Sequence, residues 1–502
     1  MAPLVPPWVL EALRRLETAG YPTYVVGGAV RDCLLGRDPR DWDLATAATP
    51  EQVRRVCPQT IDTGARFGTI TVLLAGKALE VTTFRQETGY SDHRRPDQVV
   101  FTSSLEQDLA RRDFTINAMA WHPERGLVDP LGGWEDLAAR RLDTCGEPGQ
   151  RFQEDALRML RAIRLAAELN LRPTAAVKRA ICRHRELLRK VAAERVRTEF
   201  SRLLQAPAQQ TRGVVYGLRL LRLTGLLALI APEVGATYGV TQNQYHRYTV
   251  WSHTLQAVAA TPPDLVLRLA ALCHDLGKPA TRRAGPDGRV HFYGHEVVSE
   301  RLARKVLGRL HYPKGVVEQV ALLVRHHMFA ANDKVSDAGI RRLAARVGSE
   351  NLPALFALHR ADLLAKGPLL RGTGPGGAAR PEAQQGAAGG RHATGRRYET
   401  AEASHPAAAD ELAEFERFTA RAEKVLAGAV PLKPAQLAAN GRDLQAWLGI
   451  PPGPQVGRLL RYLHQQVLDD PARNTPAQLR RLAESWLAGQ TSPRSGRSDP
   501  PD

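Results

Sequence analysis

The sequence predicts an α+β domain followed by a long all-α region, and three observations carry that expectation. Short β-like runs ("TYVV", "GTITVLLA", "ALEVTTF", "GLVD") alternate with short helical stretches up to about residue 145. From about 151 onward the β-like runs stop, and "EDALRMLRAIRLAAEL", "AAVKRAICRHRELLRKV" and "ERVRTEFSRLLQ" carry apolar residues at helical spacing with Arg opposite. The chain of 502 residues with 43% hydrophobic residues is long enough for three or four cores.

In chain order, "TYVV" reads as a strand ending at Gly27-Gly28, "AVRDCLL" as a helix, and "DWDLA" as a returning strand. "TITVLLAGKALEVTTF" reads as a hairpin turning at Ala75-Gly76-Lys77. The segment 86–109 has a polar first half and reads as a flexible loop. Residues 367–408 have almost no large apolar side chains and read as a flexible Gly/Ala-rich linker, residues 409–488 as a final helical block, and 489–502 as a disordered tail.

The formal charge of +17 points to a polyanionic partner, nucleic acid first, because a basic surface gains affinity by releasing counterions. A coding bias toward Arg, Ala, Gly and Pro, visible in the 42 Gly and 34 Pro, is the competing source of that charge. Cys33, Cys57, Cys145, Cys182 and Cys273 form no C-x-x-C pair, so neither a disulfide framework nor a thiolate zinc site is expected. No apolar run approaches a membrane span and the first residues lack a signal-peptide core, so the expected location is cytoplasmic, with no membrane partner.

Asp41 and Asp43 flank one residue. On a strand they would point to one face with Trp42 directed to the core, and two adjacent carboxylates raise each other's pKa unless a cation neutralises them. Two Mg²⁺ ions bridging a triphosphate and an attacking hydroxyl would do so. A solvated turn in which each Asp pairs with an Arg is the competing reading of a bare D-x-D. The preceding glycines alter the balance, since backbone N–H groups at a turn into a helix suit a phosphate. No G-x-G-x-x-G follows at this turn and no G-x-x-x-x-G-K-[ST] is present, which leaves nucleotidyl transfer.

"GGAVRD" followed by "DWDLAT", "RRDFTINAMA" at 111–120 and "EDALRMLRAIRLA" at 154–166 resembles, motif by motif and in order, the bacterial tRNA nucleotidyltransferase (CCA-adding enzyme) and poly(A) polymerase family, class II. The resemblance implies a polymerase-β-like nucleotidyltransferase head at 1–145. A neck at 146–235, an HD domain at 245–366 and a helical tRNA-binding tail would follow. It implies that Asp41 and Asp43 hold the catalytic metal, that Gly28 and Arg31 contact the nucleotide phosphates, and that Arg112 and Asp113 hold ribose and phosphate. It also implies that Asp155 and Arg158 read the base of CTP or ATP, with Arg161 and Arg164 supporting them or meeting phosphate. Steps of three advance about 300° on a helix, so these four form one polar stripe, for which a solvated ion-pair stripe is the competing reading. Glu80, on the next hairpin strand, is a candidate third carboxylate or a plain exposed Glu.

His253, His274-Asp275, His295, His326-His327 and Asp362 stand in helical surroundings and resemble the ligand set of an HD phosphohydrolase. Imidazole and carboxylate suit Mn²⁺, Ni²⁺, Fe or Zn²⁺, and Lys278 is placed to steady a phosphate. Basic neck helices from 169 and the Gly-Pro turn within 440–471 are the expected contacts to the tRNA backbone, though a plain helix-turn-helix packing unit fits the latter equally. The expected activity is untemplated addition of CMP, CMP and AMP to tRNA from CTP and ATP. CC-only or A-only addition, poly(A) synthesis, or chiefly HD-type hydrolysis of RNA ends are the alternatives, and a non-enzymatic RNA-binding module ranks last. Oligomeric state stays open.

Overall fold

The computed structural model describes residues 5–89, 98–206, 213–242, 248–286, 289–366, 406–428 and 430–491. Contacts divide the chain into two units, residues 1–236 with 262–269 and 304–317, and residues 237–261 with 270–303 and 318–502.

The first unit begins with the α+β domain. Its strands are β1 (Thr23–Val26), β2 (Asp43–Thr46), β3 (Thr60–Gly64), β4 (Thr69–Leu74), β5 (Lys77–Thr83), β6 (Arg85–Thr88), β7 (Gln98–Phe101), β8 (Ala120–His122) and β9 (Gly126–Val128). Seven of them make one sheet in the order β3-β4-β5-β2-β1-β8-β9. β2 lies at its centre, antiparallel to β1 and parallel to β5. Val26, Ala45, Phe84, Leu105, Leu109 and Ala120 build a core against it. The β4–β5 hairpin turns where the sequence places it, with φ of 50° at Ala75 and 71° at Gly76, the twist that suits a two-residue hairpin.

Three expectations change. "DWDLA" becomes a strand only from Asp43; Asp41 and Trp42 precede it, Asp41 exposed and Trp42 half-buried rather than in the core. The antiparallel register pairs Val26 with Asp43, so the next pair would be Gly27 with Trp42, and Gly27 leaves the extended region at φ 76° and ends the ladder. Segment 86–109 is not wholly loop, because β6 and β7 pair as an antiparallel hairpin and a helix spans Leu105–Ala110; residues 90–97 lie outside the described residues. Strands also recur beyond 151. Arg172–Pro173 pairs in parallel with Arg141–Leu142, and Arg283–Ala284 pairs with Val290–His291, ladders too short to leave a period-2 pattern.

The neck helix Leu157–Leu169 packs against Ala193–Leu204 and Gly213–Leu223. The stretch read as one helix from 154 is two. Pro148–Glu154 ends, Asp155 is extended at φ −137° and ψ 105°, and the second helix starts at Leu157. Asp155 Oδ1 accepts from Leu157 N at 3.0 Å, the short side chain competing with a continuous helix as Asp does at caps.

The second unit is helical, with helices Val250–Ala260, Lys314–His326, Asp337–Val347 and Leu352–Ala365 among them. Helix Pro406–Leu426 puts Phe415 and Phe418 into a core with Ile340, and helices from Gly441 to Thr491 close a second core around Leu444, Leu459, Leu463 and Leu479. Of the expected linker, residues 367–405 lie outside the described residues, as do 492–502 of the expected tail. Among the described residues no helix is long and apolar enough to cross a membrane, and all five cysteines are unpaired.

Candidate active site and metal centre

Asp43 opens the central strand beside Val26 on one side and Glu80 on the other. Burial first, then Glu80, raise the Asp43 carboxyl to about 6; Arg112 opposes them and Asp41 adds to them. Glu80 is exposed at the surface, yet its register puts it in the Asp43 field, so the candidate third carboxylate and the exposed Glu are the same residue.

Gly27 is the position that sequence reading passed over in favour of Gly28. A Cβ on Gly27 would stand 3.1 Å from Arg112 Nη1 and 4.0 Å from Asp43 Oδ2, and its φ already excludes most residues. Arg112 therefore lies across the turn that brings β1 to its helix. It is held by the fully buried Asp108, 3.2 Å from Nη2, which also takes Arg111 at 2.7 Å. Arg112 Nε is buried and meets no acceptor among the described residues, a donor left for a ligand.

One turn into the helix Gly28–Leu34, Arg31 folds over Gly28, its Nη2 3.5 Å from where a Cβ would be. It donates to Asp32 at 2.8 Å and to Asn117 Oδ1 at 2.5 Å. Asn117 donates in turn to Asp113 at 3.1 Å, and Asp113 receives Arg161 at 2.9 Å. Burial opposes ionisation of Asp113, and Arg161 overcomes it, holding the carboxyl at about 2. Arg161 also reaches Glu199 at 3.4 Å, and Glu199 takes the buried Arg164, which binds Glu168 as well, both at 2.5 Å. A polar ladder thus runs from Arg31 through Asn117, Asp113, Arg161 and Glu199 to Arg164 on the helix Leu157–Leu169. Asn117 and Glu199 are its missed members; Asn117 had the signal of a polar residue in a largely apolar run, whereas Glu199, among Arg195, Arg197 and Arg202, had none.

The expected stripe of Asp155, Arg158, Arg161 and Arg164 is not one exposed face. Arg158 and Arg164 are buried, Arg158 pairs with Glu154 at 2.5 Å, and Asp155, off the helix, is gripped by Arg195 at 2.9 and 3.4 Å. The structure assigns Arg164 to buried ion pairs instead of an open phosphate contact.

In the second unit, two groups have ligand atoms all within 4.8 Å of one another: His253, His274 and Asp362, and Asp275, His295 and His327. Asp41, Asp43 and Glu80 do not form such a group. His326 falls outside both triads, half-buried at the end of its helix, because the adjacent His327 is the one turned inward. Each of the four imidazoles in the triads has Nδ1 against a backbone carbonyl: His253 on Ala365 at 3.2 Å, His274 on Ala271 at 2.7 Å, His295 on Phe292 and His327 on Val324, both at 2.8 Å. That bond fixes the proton on Nδ1 and leaves the Nε2 lone pair facing inward. Nε2 of His253 and His274 then meet at 3.2 Å, and those of His295 and His327 at 3.3 Å, acceptor to acceptor, a spacing that suits two nitrogens on one cation. Asp275 stands between the groups, 3.2 Å from His274 and 3.4 Å from His295, with no aligned hydrogen bond to either oxygen. Gly277 permits this, since a Cβ there would press to 2.3 Å of the His295 carbonyl. Lys278 lies 2.7 Å from Asp275 and 2.7 Å from Gln242, so its charge is engaged within the site and not free for a phosphate. The His/Asp donor set fits divalent transition metals.

Comparison with known proteins agrees with this arrangement. Residues 23–143 match the poly A polymerase head domain and residues 220–367 the HD domain. Residues 170–237 match a probable RNA and SrmB-binding site of polymerase A, and residues 409–483 match tRNA nucleotidyltransferase domain 2. The class is therefore a nucleotidyltransferase-type head joined to a helical neck and an HD domain. The four matches in this order make the chain similar to the CCA-adding enzyme and poly(A) polymerase family in its bacterial form, a family that uses divalent metal.

The CCA-adding enzyme of Bacillus licheniformis is 48% identical over 199 residues, 40% of this chain and 50% of the relative. That of Geobacillus stearothermophilus is 41% identical over 273 residues, 54% of this chain and 64% of the relative. The chain thus spans about half the length of the curated relatives it matches. The crystal structure of the Bacillus stearothermophilus CCA-adding enzyme in complex with CTP aligns over 97% of this chain and 99% of the other, with a TM-score of 0.68 and 27% identity.

Proposed function

We propose that this chain completes tRNA 3′ ends by adding CMP, CMP and AMP from CTP and ATP without a template. The observation that carries the reading is the Asp43 carboxyl, raised to about 6 in the field of Glu80 and Asp41 beneath an Arg112 whose Nε has no protein acceptor. A partly buried carboxylate between two exposed ones, with a guanidinium Nε that lacks an acceptor beside it, asks for a cation and a phosphate together. The family and the CTP-bound relative support the same substrate class.

In this reading Asp41, Asp43 and Glu80 would hold Mg²⁺, which when bound would supply activation of a 3′-hydroxyl and neutralisation of pyrophosphate charge. Arg112 and Arg31 take phosphate oxygens, planar guanidinium matching a planar set of acceptors. Gly27 and Gly28 keep the backbone low enough for the nucleotide to approach. Asp113 keeps Arg161 and Asn117 in place, and through Asn117 it aims Arg31. Asp155 and Arg158 present an acceptor and donors to the base edge once Arg195 and Glu154 release or share them. The neck and the tail at 440–471 hold tRNA by its backbone, and the reaction is an in-line attack on the α-phosphate in which positioning supplies most of the rate.

The test is incubation of tRNA ending before CCA with CTP, ATP or both, followed by sequencing of 3′ ends. Addition of CC with CTP alone and CCA with both is the expected result; A tracts, CC only or A only would replace the reading by the corresponding relative activity. In the same assay Asp155→Ala is expected to lower correct C and A addition about 10- to 100-fold, the 1–3 kcal/mol scale of one base-edge contact, and to admit UTP or GTP. Unchanged tRNA affinity measured beside it separates base reading from RNA binding.

A second reading concerns the HD domain, favoured by the four inward Nε2 atoms and the bridging Asp275: a two-metal phosphoester hydrolase acting on RNA ends. In an Asp41→Asn/Asp43→Asn background the chain is expected to bind about two Mn²⁺ by electron paramagnetic resonance titration, as a paired-metal site requires. Asp275→Asn with Asp362→Asn should remove both; absence of bound Mn²⁺ in the background protein would end the reading.

A further inference from the structure

A cavity of about 980 Å³ reaches Asp275, His295, His327 and Asp362 of the HD triads, and Tyr293, His291, Arg325 and Arg346 also line it. None of the latter four belongs to a triad. Tyr293 is 80% exposed, an unusual place for a large ring. One face lies flat on His291, centroids 5.2 Å apart and planes 6° from parallel, and the ring borders the cavity. Gly294, at φ 72°, makes the turn that separates the outward Tyr293 from the inward His295. Arg346 is the cation of the lining that is exposed and makes no ion pair among the described residues; Arg325 is paired with Glu296, itself in the lining, at 3.7 Å and with Glu300 at 3.8 Å.

One cavity thus brings together metal-ligating side chains, guanidinium groups and an exposed aromatic face, the chemistry that suits a phosphate to be attacked, its remaining negative oxygens and a planar base. We propose that Tyr293, backed by His291, is a base-stacking platform, the residue that takes the nucleobase next to the phosphate ester read above for this cavity. The inference rests on the reading of this cavity as a phosphoester site and adds to it the part of the ligand that lies outside the metals. Stacking on an aromatic ring tolerates any base, so the platform selects nucleotides over other phosphate esters without selecting among nucleotides. A free nucleotide and the last nucleotide of an RNA strand present the same chemistry.

The test is calorimetric binding to the full chain in Mn²⁺ buffer, with hydrolysis-resistant phosphorothioates as probes: adenosine 3′-phosphorothioate, ribose 5-phosphorothioate, and a trinucleotide ending in a 3′-phosphorothioate. Tyr293 is exposed, so its replacement leaves folding intact, and any binding at the head is common to all variants compared at this position. The adenosine compound is expected to bind about 10- to 100-fold tighter than the ribose compound, the range that one base–aromatic stack provides. Tyr293→Ala should erase that preference while leaving ribose 5-phosphorothioate unchanged, and Tyr293→Phe should keep it. Preference by the mononucleotide identifies a free nucleotide as the source, and a further gain by the trinucleotide identifies a strand end. If ribose and adenosine compounds bind equally, with binding lost in Asp275→Asn, the platform is overturned and the phosphoester reading stands. If neither compound binds while Mn²⁺ does, both fall together.

Discussion

Asp43→Asn is expected to abolish nucleotide incorporation, by ~10³-fold or more, the scale on which losing one preorganised electrostatic contact acts, while making the protein more stable. Both effects come from the same place. The wild-type carboxyl is buried beside Glu80 and Asp41 and holds its proton to about 6, whereas its unfolded value is 3.8. The folded state therefore binds more protons than the unfolded chain between those values, and stability falls as pH rises through them. Above pH 6 the cost is complete, up to about 3 kcal/mol at ~1.4 kcal/mol per pKa unit; below pH 4 it disappears. In metal-free buffer, Asn should raise the melting temperature at pH 7.5 and leave it unchanged at pH 4. Incorporation is read separately by pyrophosphate release. A destabilised Asn variant, or one with wild-type incorporation, would show that Asp43 is neither strained nor needed.

Glu199→Ala is the counterpart in the neck and is expected to be among the most damaging single changes in the first unit. Glu199 and Arg164 are 5% and 4% exposed and meet at 2.5 Å, and Glu199 also supports Arg161. Removing the carboxylate leaves Arg164 buried with Glu168 alone and Arg161 with Asp113 alone. Breaking a buried pair from one side costs about 3–5 kcal/mol, and a domain of this size loses about 2–4 °C per kcal/mol, so a fall of about 10 °C is expected by differential scanning calorimetry. Glu199→Gln keeps the hydrogen bonds and should recover part of the loss. A fall of under 2 °C for the alanine variant would mean that the ladder contributes nothing to the fold.

The α+β head, the helical remainder and the hairpin at Ala75-Gly76 were legible because strand and helix periods and a glycine turn are local properties of the chain. Asp43, Arg31 and Arg112 could be singled out for the same reason, each standing in a short ordered motif. The misread details depend on partners distant in sequence. Asp41 left the strand because Gly27, just past the end of the neighbouring strand, ended the ladder. The Asp155–Arg164 stripe broke up because Arg195 and Glu199, some forty residues on, took its charges, and a helical wheel carries no information about what faces it. His326 and His327 were indistinguishable in sequence, and only the end of their helix decides which one turns inward.

The ladder from Arg31 through Asn117, Asp113, Arg161 and Glu199 to Arg164 also constrains how this protein can vary over evolutionary time. Each member answers a charge or hydrogen bond on both sides, so a change at one rung is harmful until a neighbour changes as well. Such a set is inherited as a block. Across relatives its members should be replaced together or not at all, and paired substitutions within it should be far less damaging than the sum of the single ones.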